Sequence, residues 1–132
     1  MATLGVTLKR VVAGEIVLSL PFRADLTQQH GFLHAGIVTT VMDSACGYAA
    51  LSLMEPGTAV LSVEFKVNLL APARGAYFEA SGRVVRAGRT VTVVSGELRA
   101  FPSVEPGTEE GTPVAIMTGT MMSVRDRPEL VD

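Results

Sequence analysis

The hydrophobic pattern of this chain has the period of a β-strand almost everywhere, and it is clearest at residues 61–69. Leu61, Val63, Phe65, Val67 and Leu69 alternate there with polar residues, which predicts a strand with one buried face. Other β-rich runs are bounded by glycine, proline or polar residues, as strands commonly are. The pattern predicts turns at 13–14 and 72–75, a loop at 102–112, and strands at 4–12, 15–20, 61–69, 76–87, 90–101 and 113–124.

Residues 35–54 are the exception, and they predict the single helix. The segment has no proline, is longer than a typical strand, and is rich in alanine, leucine and methionine. Its apolar residues cover most of the helix circumference, which indicates a helix enclosed by protein. One helix is too few for a doubly wound sheet. We therefore expect one α+β domain over residues 1–132, with a curved antiparallel sheet of five to six strands wrapped around a central helix.

Composition and charge narrow the class of protein. A chain of 132 residues, 48% apolar and 18% charged, is able to bury a core. Its net charge of −2 disfavours a nucleic-acid partner, because phosphate binding needs clustered excess cations. The single cysteine, Cys46, has no internal disulfide partner, and the first ten residues do not resemble a signal peptide. These features predict a cytoplasmic protein.

Residues 35–54 are also long enough to cross a bilayer. Asp43, near the middle, would cost about 2.5–3.5 kcal/mol there on insertion scales, and the nearest cations, Arg23 and Lys66, do not flank the segment closely. A helix surrounded by protein explains the segment better, so no membrane association is expected.

Asp43 is the main candidate for chemistry, because it is a carboxylate in the middle of an apolar helix. Such a group needs a hydrogen-bond or charge partner, or it takes up a proton. Two interpretations fit the sequence. Asp43 is either a structural aspartate held by a partner, or a general base or nucleophile in a partly dry cleft.

The approach to the helix, residues 28–36, is the second candidate. A helix N-terminus leaves backbone N–H groups unpaired and carries partial positive charge, which suits a developing oxyanion. His34 either orients this turn or contacts a ligand, and a plain hydrogen bond to the loop is equally compatible. His30 and His34 are four residues apart, as metal ligands often are. Gly31 interrupts a regular helix between them and no third ligand is close in sequence, so we expect no metal site.

These residues follow a known pattern. His34-Ala35-Gly36, six further residues and then Asp43 resemble the His-Gly-Gly…Asp signature of hot-dog-fold acyl-CoA thioesterases, and the nearest likeness is to the phenylacetate-pathway (PaaI-like) branch. Two positions depart from the signature: Ala35 replaces its first glycine, and Gln28 replaces its usual asparagine. The resemblance covers residues 28–122 and includes Gly47, the strand from residue 62 with Pro72 and Gly75, and the run Arg86-Ala87-Gly88-Arg89-Thr90.

The resemblance implies hydrolysis of an acyl-CoA thioester with no separate cofactor, since coenzyme A is part of the substrate. Asp43 would activate water or attack the carbonyl, and the Ala35 amide would hold the oxyanion. Ser62 matches a hydroxyl that helps to place the nucleophile in some relatives. The remaining positions implied for the site are His34 and Gln28 near the reacting group, and Gly36, Gly88, Arg89 and Thr90 for binding the substrate. A non-catalytic acyl-CoA or small-ligand binding protein and a hydratase or dehydratase are the alternatives, because one fold serves all three.

The spacing of the two groups carries a further expectation. Eight residues of α-helix separate Ala35 from Asp43, which is about 12 Å along the axis and about 80° around it. A thioester carbon needs its nucleophile and its oxyanion donor within about 3–3.5 Å. One chain therefore does not supply both groups to one site. We expect a homo-oligomer, a dimer or a dimer of dimers, with sites shared between subunits.

Overall fold

The computed structural model of the protein describes residues 1–105, 107 and 110–129. One α-helix, α1, packs against a six-stranded antiparallel sheet with the strand order β1-β2-β4-β5-β6-β3. This arrangement confirms the predicted hot-dog architecture. The elements are α1 (Ala35–Leu51), β1 (Thr7–Val12), β2 (Glu15–Pro21), β3 (Ala59–Leu69), β4 (Tyr77–Ala87), β5 (Val91–Phe101), β6 (Thr112–Val124) and two 3₁₀ turns, Ala2–Leu4 and Ala24–Leu26.

Most predicted boundaries hold, and two are wrong for local reasons. The first strand begins at Thr7 rather than residue 4, because the preceding 3₁₀ turn ends at Gly5 with φ of 74°. The helix ends at Leu51 rather than residue 54, because the N–H groups of Leu53 and Met54 donate three residues back, in a tighter turn. Residues 106, 108 and 109 of the predicted loop and residues 130–132 of the chain end lie outside the described residues.

The helix is covered on one side only within the single chain, so this chain alone does not complete the enclosure by protein that the sequence predicts. Gly36, Thr40 and Tyr48 are exposed on the opposite side. Nowhere in the described ranges is a helix long and apolar enough to span a membrane. The buried residues of α1 are Val38, Val41, Met42, Ala45, Cys46, Ala49 and Ala50.

The helix lies unusually close to the sheet at Ala45 and Cys46. Gly82 of β4 and Gly96 of β5 are cross-strand partners beneath this point. A methyl group on Gly82 would stand 2.3 Å from the Ala45 carbonyl carbon, and one on Gly96 would stand 2.9 Å from Cys46 Sγ. The two glycines therefore create the space that the helix backbone occupies.

A β-bulge changes which residues of β3 share a face. The register shifts between Ser62 and Glu64, so Ser62 pairs with Met121 while Glu64 pairs with Thr120. Since Met121 is fully buried under the helix, Ser62 points to the helix side. Because residues paired across an antiparallel ladder share a face, Leu61 and Glu64 lie on the outer face of the sheet.

The bulge and the position of β3 at the sheet edge overturn the prediction of a buried apolar face. Phe65 and Leu69 face the helix side without being covered by the helix, and Leu61 faces outward. In the single chain Leu61, Val63, Phe65 and Leu69 remain between 42% and 57% exposed. The alternation in the sequence marks a surface that this chain does not cover by itself.

Replacing Gly82 by alanine should destabilise the fold, because the new methyl group collides with helix backbone rather than with a movable side chain. We expect the free energy of unfolding to fall by about 3 kcal/mol, at the upper end of overpacking effects. Gly47→Ala is the matched control, since a methyl group there meets no atom within 4 Å and alanine favours a helix. Urea denaturation of both variants tests this, and equal midpoints would contradict it.

Candidate active site

Asp43 is held by a hydroxyl group from the edge strand. The Ser62 hydroxyl donates to Asp43 Oδ1 at 2.7 Å and lies 3.3 Å from the Met121 sulfur. Asp43 is half-buried, and no cation among the described residues forms an ion pair with it. The structure thus supplies a partner that orients the carboxylate and leaves its charge uncompensated, an arrangement suited to a base or nucleophile.

His34 caps the start of α1 and determines which backbone amide stays available. Its Nδ1 accepts the Gly36 N–H at 2.9 Å, and its carbonyl oxygen accepts the N–H groups of Ile37 and Val38. The Ala35 N–H has no acceptor among the described residues. Of the first amides of the helix, the one predicted to hold an oxyanion is therefore the one left open.

Gln28 shapes the loop that leads into this turn. Its side-chain Oε1 accepts the His30 N–H, while its backbone bonds to Phe32 and Gly31 close a tight turn. Gly31 has a φ of 81°, which glycine adopts without strain. His30 and His34 do not converge with a third ligand: in the described ranges no three His, Cys, Asp or Glu side chains are grouped to hold a metal ion.

Ala35 lines a cavity of about 480 Å³. Its walls come from the loop at Gln28, the start of α1, the end of β3 and the segment at residues 69–73. The oxyanion candidate therefore borders a space large enough for part of a ligand.

The predicted substrate-binding residues Gly88, Arg89 and Thr90 form the turn between β4 and β5. The Gly88 N–H donates to the Val91 carbonyl at 2.8 Å and closes the turn. The Ser123 hydroxyl near the end of β6 and Nη2 of Arg125, just after β6, each donate to the Arg89 carbonyl at 3.1 Å.

Arg125 was missed in the sequence, where it reads as the first residue of a polar tail. The only available signal was a cation directly after the last predicted strand. It meets Arg89 at this turn, and the described residues provide no ion-pair partner for either arginine.

The site residues fall into two groups at opposite ends of β3. Ser62, Met121 and Thr92 lie in one row across β3, β6 and β5. The turn at Arg89 lies two strands away and about two residues further along, which is about 12 Å from Ser62. The Ala35 cavity borders Leu69, seven residues from Ser62 in the other direction. Within one chain, Asp43, Ser62 and the turn at Arg89 with Arg125 form one group, and Ala35, His34 and Gln28 form the other.

Cys46 is buried between α1 and the sheet, and its thiol is not reactive. Burial in the helix–sheet contact, together with the negative charge of Asp43, raises the pKa of the Cys46 thiol to about 12. Because the thiolate is the reactive form, the side chain is not a candidate nucleophile.

Comparison with known proteins identifies the family. Residues 30–106, more than half of the chain, match the family model described as the thioesterase superfamily. The chain belongs to this superfamily. The resemblance of the chain to hot-dog thioesterases is thereby confirmed.

Individual relatives support the same family. A candidate esterase of Halobacterium salinarum is 33% identical over 131 residues, which cover 96% of this chain and 85% of that protein. A candidate esterase of Saccharolobus solfataricus is 35% identical over 86 residues, 65% of this chain, and the match spans 61% of its length. Among solved structures, a thioesterase family protein from Silicibacter pomeroyi is 51% identical with a TM-score of 0.88, covering 95% of this chain and 88% of that one.

More distant structures share the fold alone. The PaaI protein of Escherichia coli superposes with a TM-score of 0.80 at 20% identity, over 93% of this chain and 82% of that one. A Bacillus halodurans protein, solved with CoA, also has a TM-score of 0.80, at 22% identity over 94% and 77% of the two chains.

The raised pKa of Cys46 predicts how stability changes with pH. An unfolded thiol ionises near pH 9, whereas the folded one keeps its proton until about pH 12. Stability from this group is therefore full below pH 9 and is lost as the pH rises from 9 towards 12. Between pH 8 and pH 10, wild type should lose about 1.4 kcal/mol more unfolding free energy than Cys46→Ala. Equal losses in urea titrations of the two proteins would refute this origin.

Proposed function

We propose that the protein is an acyl-CoA thioesterase that works as a homo-oligomer. The observation that carries the proposal is the Ala35 N–H, left without an acceptor among the described residues at the start of α1 while His34 occupies the next amide. The Asp43 carboxylate, aligned by Ser62, supplies the second half of the chemistry. Coenzyme A enters as part of the substrate, so no resident cofactor is required.

The reaction needs one base and one oxyanion donor. Asp43 takes a proton from a water molecule as the water oxygen attacks the thioester carbonyl carbon. The negative charge that develops on the carbonyl oxygen is held by the Ala35 N–H at the positive end of the helix dipole. Collapse of this intermediate breaks the C–S bond, and the coenzyme A thiolate takes the proton from Asp43, giving free acid and coenzyme A. Direct attack by Asp43 on the carbonyl gives the same products after hydrolysis of the resulting anhydride.

Both groups lie on one helix and are about 12 Å apart along it, so two subunits are needed to complete each site. The edge of β3 is suited to this assembly, since it presents apolar side chains and no further strand follows it in the described ranges. Antiparallel pairing of two β3 strands about a twofold axis between Phe65 and Lys66 would set Ser62 opposite Leu69 of the partner subunit. Asp43 of one chain would then approach the Ala35 turn of the other.

The opposite edge of the sheet is less suited to strand pairing. β1 has its register shift between Leu8 and Arg10, and it carries Lys9 and Arg10. A bulge and cations are the usual means by which an edge strand resists further pairing. A second apolar groove, at Leu8, Val11, Tyr48 and Leu51, provides a surface on which two dimers could form a tetramer.

The arginine group supplies a place for the phosphates of coenzyme A. Arg89 and Arg125 have no ion-pair partner within the described ranges, and guanidinium groups are well matched to phosphate. Their distance from Ser62, about 12 Å for the Arg89 turn, is of the scale an extended pantetheine arm covers. The presence of CoA in the Bacillus halodurans protein of the same fold supports this proposal. A reducing compartment, which we propose to be the cytoplasm, suits the free Cys46 thiol.

Asp43→Asn tests the catalytic assignment. The amide is nearly isosteric and still accepts the Ser62 hydroxyl, but it does not take up a proton from water. We expect kcat for acyl-CoA hydrolysis to fall by at least 10²-fold, measured by thiol release. Asp25→Asn is the matched control, because that aspartate is exposed and its carboxylate is paired with Arg23. A variant with full activity would contradict the proposal, and binding without turnover by wild type would favour the non-catalytic alternative.

Ala35→Pro and Asp43→Asn together test the shared site. Proline removes the N–H, and the backbone accepts it because Ala35 is the first helical residue and His34 is extended at φ −62°, ψ 137°. Each pure variant should be inactive, whereas Ala35→Gly keeps the amide and should remain active.

Mixing the two inactive variants by denaturation and refolding should restore about one quarter of wild-type activity. Half of the dimers are then heterodimers, and each contains one site with a sound Asp43 and a sound Ala35 from different chains. An inactive mixture with heterodimers verified by mass spectrometry would exclude shared sites.

A further inference from the structure

The cavity beside Ala35 has apolar walls. Its volume of about 480 Å³ is within the range of small-molecule sites. Ala35 lines it, so a carbonyl group held by the Ala35 N–H would lie at its border. The large apolar side chains in the lining are Phe32, Leu33, Val38, Leu69, Leu70 and Val114.

Polar groups are scarce around this space. Gln28 is the only lining residue with a polar side chain, and its Oε1 already accepts the His30 N–H. None of the lining residues is charged. Arg74 is outside the lining, and its guanidinium lies over the Phe32 ring, 5.2 Å from the ring centroid. A charged group entering the cavity would lose water without gaining an ion-pair partner from its walls.

The orientation of a bound substrate follows from the groups that lie near each end of β3. A thioester carbonyl carries two substituents, the sulfur with its pantetheine arm and the acyl chain. The arginines that suit the phosphates lie on the Ser62 side, towards Val60, whereas the cavity borders Leu69 at the other end of the strand. Antiparallel pairing puts the Asp43 and arginine group of one subunit next to the cavity of its partner. The pantetheine arm then leaves towards the arginines, and the acyl chain is left to the cavity.

We infer that the cavity beside Ala35 is the acyl-binding site, and that its lining selects coenzyme A thioesters of uncharged hydrocarbon acyl groups larger than acetyl. This inference rests on the proposed thioesterase function. It adds the substrate class, which the His34–Asp43 pattern does not specify.

Three thioesters measure this selectivity in the wild-type protein. Hexanoyl-CoA should exceed acetyl-CoA in kcat/KM by at least about tenfold, since each methylene group in an apolar pocket contributes to discrimination. Adipoyl-CoA, with the same number of acyl carbons and a terminal carboxylate, should fall below hexanoyl-CoA by at least about 10²-fold.

Variants then connect the selectivity to this cavity. Ala71→Phe adds a ring to the lining and should lower the hexanoyl-to-acetyl ratio of kcat/KM by about tenfold. Ala24→Phe makes the same change on an exposed residue outside the cavity and should leave the ratio as it is. Phe32→Ala enlarges the space and should shift the preference towards longer chains, which keeps the test decisive if Ala71→Phe does not fold.

The outcomes separate this inference from the proposed function. Asp43-dependent hydrolysis with equal rates on acetyl- and hexanoyl-CoA, or with a preference for adipoyl-CoA, would overturn the inference and leave the thioesterase standing. An unchanged ratio in both cavity variants would overturn it as well. Absence of hydrolysis on every thioester would overturn the proposed function and the inference with it.

Discussion

The approach of α1 to the sheet at Gly82 and Gly96 is the constraint on which the rest of this structure depends. Protein interiors are close-packed, so a helix lies against a sheet at the distance that intervening side chains allow. Here the paired residues Gly82 and Gly96 have no side chains, so the helix backbone at Ala45 packs directly against β4. The contact fixes both the height of the helix above the sheet and its rotation about its own axis.

That fixed rotation determines where the chemistry is found. With Cys46 directed onto Gly96, Asp43 is directed to the margin of the sheet, where it meets Ser62 rather than the core. The start of the same helix carries His34 and the Ala35 amide to the far end of β3. One rigid element thus holds two half-sites apart, and the proposed oligomer is the arrangement that brings two such halves together.

Much of this architecture could be read from the sequence, because hydrophobic period and turn residues report local structure directly. The six strands, the helix and the His34–Asp43 spacing are of this kind. The Asp43–Ser62 contact was anticipated only through the family resemblance. The bulge at Val63 turns Ser62 towards the helix. It cannot be detected in the hydrophobic pattern, because the extra residue is apolar and continues the alternation.

Other features were inaccessible because they depend on distant parts of the chain. An apolar stretch shows that a surface must be covered but not by what: the sequence predicts a helix enclosed by protein and a buried face on β3, and the single chain leaves part of both uncovered. Arg125 joins the Arg89 turn only because β6 ends beside it, and this proximity follows from strand order rather than from neighbouring residues. The role of Gly82 and Gly96 also depends on tertiary structure. In the sequence they are two glycines within predicted strands, and only the helix packed over them shows why side chains are excluded there.

The position of Ser62 on an edge strand has a consequence for how this protein would lose activity. Edge strands open locally at a lower free energy than the central strands of a sheet, and they do so without global unfolding. The hydroxyl that aligns Asp43 belongs to such a strand, whereas the glycines that seat the helix belong to the interior of the sheet. Mild denaturing conditions would therefore release the carboxylate from its aligned position while the core remained intact. Pairing of β3 with a second subunit would tie the reactivity of Asp43 to assembly, because the strand that joins the subunits is also the one that orients the carboxylate.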